Sequence, residues 1–172
     1  MTAETLRRGP LESRAADLAS FGATEVAFVS QWSLRVDPSV SPFPLPTESN
    51  TWTAEGDREL LWLGPDEWLL VGGSTERLAS ALAGVGVHHS LVDVSSSRTV
   101  LDLSGTDRRE HLSTGCGLDL DARSWLPGMC AQTLLARVPV LLQERGDATR
   151  VFVRPSFAGY LVTWLARSRP ST

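Results

Sequence analysis

The chain contains no lysine, since all sixteen of its basic residues are arginine. Without a lysine amine, neither a Schiff-base enzyme nor a P-loop nucleotide site can be built from this sequence. Long apolar runs are also missing, because none approaches the roughly 18 residues that a membrane-spanning helix needs. Residues 1–10 lack the apolar core of a secretory signal. We therefore expect neither a membrane span nor a signal peptide.

Cysteine and histidine are scarce, and their positions suit neither a metal site nor a disulfide framework. Cys116 and Cys130 are not part of any C-x-x-C pair, so both are interpreted as small apolar fillers. His88 and His89 are adjacent on a predicted strand and therefore point to opposite faces. The glycine fingerprint of dinucleotide-binding proteins is absent as well. The sequence thus predicts a reduced, cytoplasmic setting with no metal site and no catalytic constellation.

The remaining pattern is that of a protein with separate strand and helix regions. Strands bounded by turn residues are predicted at 24–29, 32–36, 59–63, 67–71, 87–94, 98–103, 132–137, 140–143 and 149–153. Helices are predicted from Ser74 to about Ala83, from Thr106 or Asp107 to about Gly115, and onward from Pro155. Because strands and helices do not alternate one by one, this order favours an α+β fold with largely antiparallel sheets. Pro139 argues against a continuous central strand at its position.

The last predicted helix has the clearest amphipathic pattern. Its large apolar residues recur with helical spacing at Phe157, Tyr160, Leu161, Trp164 and Leu165. A stripe of this kind is typical of a helix that packs on a sheet. We expect this helix to bury Phe157, Leu161, Trp164 and Leu165.

A proline-rich segment at 37–50 is expected to be an ordered loop, because closely spaced prolines cannot join a central ladder. The six tryptophans are many for this length, and aromatic residues dominate both cores and interfaces. Some are expected beneath this loop and others against a partner. The predicted docking segments are the loop from Pro38 to Trp52 and an N-terminal arm at 1–20, which precedes a single domain at 21–169. The alternative is that both segments only cover the chain's own core.

A few charged residues stand out from their apolar surroundings. Asp93 lies within an apolar run and is expected to be partly buried, with hydrogen bonds to groups in 95–98. Arg98 can supply a charged partner for it. Arg154, just before the last helix, can bind an anion or a partner's carboxylate, and a locally paired or solvated arginine is equally open. For Asp93 a structural role is favoured over a catalytic one.

Several phrases of the sequence resemble those of sarcosine oxidase gamma subunits. They follow in order along roughly residues 8–166, at 45–51, 61–70, 91–105, 127–136 and 152–161. The phrase at 63–68 is the most specific of them. The phrase at 91–105 also resembles the Asp-Val-Ser-His motif of glycine-cleavage aminomethyltransferases, with Ser96 in place of the histidine. That likeness implies a folate-binding-domain fold built from two related β-β-α-β-β-β-α halves.

The resemblance implies a role in a heterotetramer of alpha, beta, gamma and delta chains. Such an enzyme oxidises the N-methyl group of sarcosine, giving glycine, hydrogen peroxide and a one-carbon unit that tetrahydrofolate accepts. FAD, FMN, NAD, zinc and tetrahydrofolate are then expected on partner subunits and none on this chain, for which no cofactor-binding residue is assigned. The structural or interface candidates are Asp93, Arg98, Arg154, Trp52 and Trp68.

The charge and the length of the chain bear on other partners and functions. The formal net charge is −4, and no basic cluster is dense enough for a nucleic-acid surface. The alternative function is a stand-alone folate-binding protein that transfers one-carbon units. At 172 residues, the chain has about half the length of an aminomethyltransferase, which favours the structural subunit.

Overall fold

The computed structural model describes residues 8–168, so the expected arm at 1–20 and domain end at 169 lie partly outside it. The described strands are β1 Ala23–Glu25, β2 Gln31–Arg35, β3 Trp52–Glu55, β4 Arg58–Gly64, β5 Glu67–Gly72, β6 Ser90–Asp93, β7 Thr99–Ser104, β8 Cys130–Leu135, β9 Val138–Glu144 and β10 Ala148–Val153. The described helices are α1 Ala15–Ser20, α2 Thr75–Leu82, α3 Arg108–Ser113 and α4 Pro155–Arg167. Between residues 8 and 168, no helix is long and apolar enough to cross a membrane.

The strands form two five-stranded antiparallel sheets. Sheet A has the order β1-β7-β10-β9-β8, and sheet B has the order β3-β4-β5-β2-β6. Strands that follow one another in the chain are therefore not always neighbours in a sheet. β1 pairs with β7, with Ala23 opposite Leu103. β6 pairs with β2, with Asp93 opposite Trp32.

These pairings divide the chain into halves of matching design, one from β1 to α2 and the other from β6 to α4. In each half the second strand and a three-stranded meander share a sheet, while the first strand joins the sheet of the other half. The second half has α3 before its meander. Residues 37–50 take that place in the first half, with a short 3-10 helix at Pro38–Val40. The expected fold of two β-β-α-β-β-β-α halves is confirmed, with a proline-rich loop in place of one helix.

Alternation along the strands divides the apolar side chains among three clusters. On β4, for example, Leu60 belongs to the outer face of sheet B, whereas Leu61 lies between the sheets. Helices α1 and α4 cover the outer face of sheet A, and α2 covers that of sheet B. The layers therefore run helix, sheet, sheet, helix. Leu11 and Leu18 lie in the cluster under α4, and the division into an arm and a domain stays a prediction.

The proline-rich loop at 37–50 lies over the outer face of sheet B. Phe43 is buried in the same cluster as Trp68, whose indole N–H donates to the Pro46 carbonyl oxygen at 2.8 Å. The Arg58 guanidinium stands over the Phe43 ring, 5.1 Å from its centre. The expectation that a tryptophan lies beneath this loop is thus confirmed. The loop contributes to the chain's own core.

Helix α4 buries a different stripe from the one that its aromatic residues predict. The residues that it buries against sheet A are Ala158, Leu161, Val162 and Leu165. Phe157 is 40% exposed and Trp164 is only half-buried, so the expected burial of these two is wrong. The burial of the two leucines is confirmed. Both stripes have helical spacing and share Leu161 and Leu165, so the spacing alone does not select between them.

Local expectations along the strands are corrected as well. Pro139 lies inside β9, a central strand of sheet A. It is tolerated because pairing with β10 begins only at Val140, so that Pro139 faces a ladder neighbour on the β8 side alone. The strand expected at 87–94 begins at Ser90, so the adjacent histidines precede it. β3 is missing from the predicted strands, since its polar residues show no apolar alternation.

An ion-pair joint connects the two sheets. Glu59 of β4 accepts a hydrogen bond from Arg150 of β10 at 3.1 Å and also pairs with Arg145. Arg150 in turn holds Asp102 of β7 through two parallel bonds of 2.7 and 2.9 Å. Arginine is suited to this position because its planar fork matches a carboxylate. The joint fixes sheet A and sheet B in one relative position.

A second carboxylate, Glu144, is fully buried at the end of β9. It pairs with Arg108 at 2.9 Å and Arg109 at 3.0 Å, and it accepts hydrogen bonds from the Thr149 hydroxyl and the Gly146 amide. Burial alone would raise its pKa, but these bonds outweigh burial and hold the pKa of Glu144 below its ordinary value of 4.5. Glu144 therefore anchors α3 to the β9–β10 hairpin as a carboxylate.

Shortening Leu161 to alanine is expected to destabilise the fold far more than shortening Phe157. Leu161 is fully buried under sheet A, so Leu161→Ala leaves a cavity and lowers the free energy of unfolding by about 2–5 kcal/mol. Phe157 is partly exposed on the same helix and serves as the matched control. Urea unfolding followed by circular dichroism measures both variants. Equal losses for the two would contradict the assigned orientation of α4.

Replacing Glu144 with glutamine is expected to lower stability at neutral pH by about 3–5 kcal/mol, because it leaves two arginines without their carboxylate. The lowered pKa of Glu144 also determines how the free energy of unfolding changes with pH. The carboxylate stabilises the folded chain above the ordinary value of 4.5, and this contribution is lost as the pH falls through the lower folded value. The wild type should therefore lose more stability below pH 4.5 than Glu144→Gln. The exposed neighbour Glu110→Gln is the control, and parallel pH profiles for all three proteins would contradict the assignment.

Candidate functional site

A cleft of about 600 Å³ lies at the point where the two halves exchange strands. The connection from β1 to β2 and the connection from β6 to β7 both line it, because each passes from one sheet to the other there. We call it the crossover cleft. Its lining residues are 8–10, 25–32, Asp93, Ser95, Ser96, 98–100 and Pro155.

Hydrogen bonds through Gln31 join the two connections. Its backbone N–H donates to the Ser95 hydroxyl oxygen, and its carbonyl oxygen accepts from the Val94 amide, both at 2.9 Å. Its side-chain amide donates to the Arg98 carbonyl oxygen at 3.1 Å. Gln31 is 1% exposed. One buried glutamine thus holds both connections in place.

Asp93 fixes the start of the second connection. Its carboxylate accepts from the Ser95 amide at 2.9 Å and from the Ser95 hydroxyl at 2.6 Å. These bonds, the hydroxyl's first, lower the pKa of Asp93. The expected hydrogen bonds are confirmed, but the expected burial is wrong, since Asp93 is exposed at the end of the edge strand β6. An edge strand has only one neighbour and leaves such a residue open to solvent.

Three residues that line the cleft carry buried polar atoms without a partner. Gln31 Oε1, Trp32 Nε1 and Thr99 Oγ1 are all buried, and none of them has a hydrogen-bond partner between residues 8 and 168. Each of the three residues is at most 8% exposed. Buried polar groups in proteins are normally paired, so these three atoms are a desolvation cost of the fold.

Charges of both signs line the cleft, with Arg8 and Arg98 beside Glu25 and Asp93. Arg98 lines the cleft, and burial, followed by the nearby positive charge of Arg154, lowers its pKa, while Glu67 acts in the opposite direction. In the described part of the chain, neither Arg98 nor Arg154 forms an ion pair within 4.0 Å. Glu25 also lines the cleft; burial raises its pKa, and its carboxylate accepts from the Leu11 amide.

The candidate residues from the sequence fall into two groups. Asp93 and Arg98 both line the crossover cleft, and the positive charge of Arg154 contributes to the lowered pKa of Arg98. Trp68 lies under the proline-rich loop. Trp52 is half-buried at the joint between the sheets, with its indole N–H donating to the Glu144 carbonyl oxygen at 2.9 Å and Arg145 over its ring. The structural or interface roles of all five stay predictions.

The sequence does not reveal Gln31, Trp32 and Thr99 as cleft residues. Each lies in or beside a strand whose alternation explains it locally, and only the exchange of β1 and β6 brings them together. The signal available in the sequence was a polar residue, Gln31, directly before a predicted apolar strand. One such residue does not show which distant group it contacts.

The described residues offer neither a metal-binding cluster nor a reactive buried thiol. In the part of the chain that the structure describes, no cluster of three or more His, Cys, Asp or Glu residues could hold a metal ion. Cys130 is fully buried between the sheets, and burial raises the pKa of its thiol to about 12. A thiol with such a pKa stays protonated at neutral pH and is a poor nucleophile.

Comparison with known proteins identifies relatives along nearly the whole chain. The family model described as sarcosine oxidase, gamma subunit family, matches residues 41–170. Sarcosine oxidase subunit gamma of Corynebacterium sp. (strain P-1) is 33% identical, over 94% of this chain and 89% of the relative. The subunit gamma of Arthrobacter sp. is 32% identical over the same shares.

Two solved structures share the fold. A chain of the heterotetrameric sarcosine oxidase from Corynebacterium sp. U-96, in complex with pyrrole 2-carboxylate, matches with a TM-score of 0.84 and 30% identity. That match covers 95% of this chain and 94% of the other. The glycine cleavage system aminomethyltransferase T from Bartonella henselae matches with a TM-score of 0.64 and 12% identity, over 89% of this chain and 48% of the other. At that identity the second match shows the fold alone.

Removing the Ser95 hydroxyl is expected to destabilise the contact between the β1–β2 connection and the β6–β7 connection. Ser95→Ala leaves the buried Gln31 amide without its acceptor, which costs roughly 1–3 kcal/mol of unfolding free energy. Ser96→Ala removes the hydroxyl of an exposed neighbour and is the matched control. Chemical denaturation of both variants measures the difference. A Ser95→Ala variant as stable as Ser96→Ala would show that this bond does not hold the crossing.

Proposed function

Because this chain belongs to the sarcosine oxidase gamma subunit family, we propose that it is the non-flavin subunit of an oxidase that it forms with alpha, beta and delta chains. The assembly oxidises sarcosine to glycine and hydrogen peroxide and passes a one-carbon unit to tetrahydrofolate. FAD, FMN, NAD, zinc and tetrahydrofolate are held by the partner chains. The assembly is cytoplasmic. The observation that carries the proposal is the match of nearly the whole fold to a chain of a heterotetrameric sarcosine oxidase.

The work of this chain in the assembly is docking, and the outer flank of α4 is the surface best suited to it. Phe157 is 40% and Tyr160 53% exposed on this flank. Tyr160, Trp164 and Arg167 border a hollow of about 380 Å³. Tyrosine, tryptophan and arginine are the residues that most often anchor protein interfaces. We call this surface the α4 aromatic flank, defined by Phe157, Tyr160, Trp164 and Arg167.

The α4 aromatic flank is a better docking surface than the proline-rich loop. The loop places Phe43 in the chain's own core and provides the carbonyl group that accepts from Trp68. Its apolar side chains are therefore largely used within the chain. The aromatic side chains of the flank remain partly exposed after the helix has buried its other stripe. A partner's apolar surface would cover them.

Co-expression with the alpha, beta and delta chains tests both the assembly and its surface. The tagged wild-type chain should purify with all three partners. The double variant Phe157→Ala with Tyr160→Ala should lower its recovery in the complex at least about tenfold, which corresponds to roughly 1.4 kcal/mol of interface energy. Val87→Ser, at another exposed apolar position, is the control and should assemble normally. Melting curves of the separate chains show whether each variant is folded.

The same preparations give two outcomes that count against the proposal. A wild-type chain that never associates with the other oxidase chains would overturn the assembly. A flavin spectrum in this chain purified alone would contradict its non-flavin role. If the double variant is folded and fully incorporated, the docking surface lies elsewhere while the assembly stands.

A further inference from the structure

We propose that the α4 aromatic flank binds an acidic segment of a partner subunit. An apolar side chain of that segment enters the hollow beside Tyr160 and Trp164, and its carboxylates pair with Arg137 and Arg167. This inference rests on the proposed function, because the partner belongs to the same assembly. It goes further in stating the chemistry of the partner surface, which has an apolar centre with negative charge beside it.

Both aromatic rings of the flank are held by this chain before any partner binds. The Tyr160 hydroxyl donates to the Ala136 carbonyl oxygen at 3.3 Å, in the turn between β8 and β9. The Trp164 ring lies against Gly115, where an added Cβ would overlap the ring carbon Cη2. Tyr160 nevertheless remains 53% exposed, and Trp164 is only half-buried. Rings that are already fixed lose little freedom on binding, so they suit an interface anchor.

The unpaired charge of the flank has one sign. Arg167 borders the hollow, and Arg137 lies in the β8–β9 turn that the Tyr160 hydroxyl contacts. Both arginines are exposed, and neither forms an ion pair within residues 8–168. Helix α4 contains no aspartate or glutamate, and the described residues that line the hollow include no acidic one. The flank is thus positive, although the whole chain has a net charge of −4.

A carboxylate is the group in a protein partner that these arginines recognise best, because a guanidinium matches it with two parallel hydrogen bonds. The chain's own Asp17 does not supply one. It pairs with Arg14, which also donates to the hydroxyl of Thr163 at the hollow. An exposed ion pair contributes little binding energy by itself. The rings therefore provide the affinity, while the arginines select the partner and orient it.

A second copy of this chain does not fit the flank. Two copies related by a twofold axis would place the same surface on both sides of the interface. The arginines of one copy would then face those of the other, and like charges across an interface repel. A partner segment that carries carboxylates has the opposite charge and fits.

The absence of lysine from the chain makes this contact directly testable. Arg137→Lys and Arg167→Lys each place one side-chain amine on the flank of a chain that otherwise has none. A carbodiimide joins an amine to a carboxylate that it touches, so treatment of the co-expressed complex should link each variant to an aspartate or glutamate of a partner. Arg77→Lys, at an exposed position of α2 on the opposite side of the molecule, is the matched control and should give no link above the wild-type background. Mass spectrometry of the linked peptides identifies the carboxylate.

Charge reversal measures what the arginines contribute to assembly. Arg137→Glu and Arg167→Glu should each lower the recovery of the chain in the complex about fivefold or more, because like charges then face the partner's carboxylates. Arg77→Glu changes the net charge equally and should assemble as the wild type does. Arg167 also lies in the last turn of α4, where its charge favours the helix dipole. Melting curves of the separate chains therefore show whether each variant is folded.

The outcomes separate this inference from the proposed function. Links from both lysine variants to partner carboxylates, together with weakened assembly of folded reversal variants, support the acidic segment. A complex that gives no such link and assembles normally with both reversal variants overturns the inference and leaves the subunit assignment standing. A link between two copies of this chain identifies a second copy as the occupant and also overturns it. A wild-type chain that forms no complex overturns both proposals together.

Discussion

The reciprocal exchange of β1 and β6 is the constraint on which the rest of the architecture depends. Each half lacks one strand of its own sheet and takes it from the other, so neither sheet is complete within one half. Backbone hydrogen bonds are obligatory for buried strands, and the exchange therefore ties the halves together through their ladders. The crossover cleft arises from the same exchange, because both connections must pass between the sheets there.

Charged side chains supplement the strand exchange and the apolar cluster between the sheets. Glu59 contacts Arg150 of β10 and Arg145 in the β9–β10 turn, and Glu144 joins α3 to the β9–β10 hairpin. Buried ion pairs are costly to desolvate, but breaking one is costlier still. Here the ion pairs connect β4 of sheet B with β7 and β10 of sheet A.

Much of the fold could be predicted from local sequence patterns, whereas its long-range pairings could not. The Ser74 cap, the β4–β5 hairpin and the start of α4 at Pro155 follow from turn and capping residues. The orientation of α4 does not, because two stripes with helical spacing overlap and only packing selects the one with Ala158. The position of Pro139 likewise depends on where β10 begins to pair.

In the candidate site, too, the local contacts could be predicted from the sequence and the long-range contacts could not. Asp93 and Ser95 are two positions apart, so their hydrogen bonds could be anticipated from the sequence. The bond between Gln31 and Ser95 joins distant parts of the chain, and no local pattern announces it. Family resemblance supplied the fold, since it transfers long-range pairing from proteins that already have it. It did not supply the unsatisfied atoms of the cleft, which depend on this chain's own side chains.

The exchange also sets the order in which the molecule can be assembled during synthesis. β1 leaves the ribosome early, yet its partner β7 is made only after the whole of sheet B has been translated. Sheet B can close once β6 has emerged, while sheet A must wait for β10, which pairs with β7. Until β7 has been made, β1 has no native neighbour. Long-range pairing of this kind slows folding, because loop closure precedes the contacts that reward it. The strands of sheet B are therefore all made before β1 can pair, and sheet A is completed only when β10 pairs with β7.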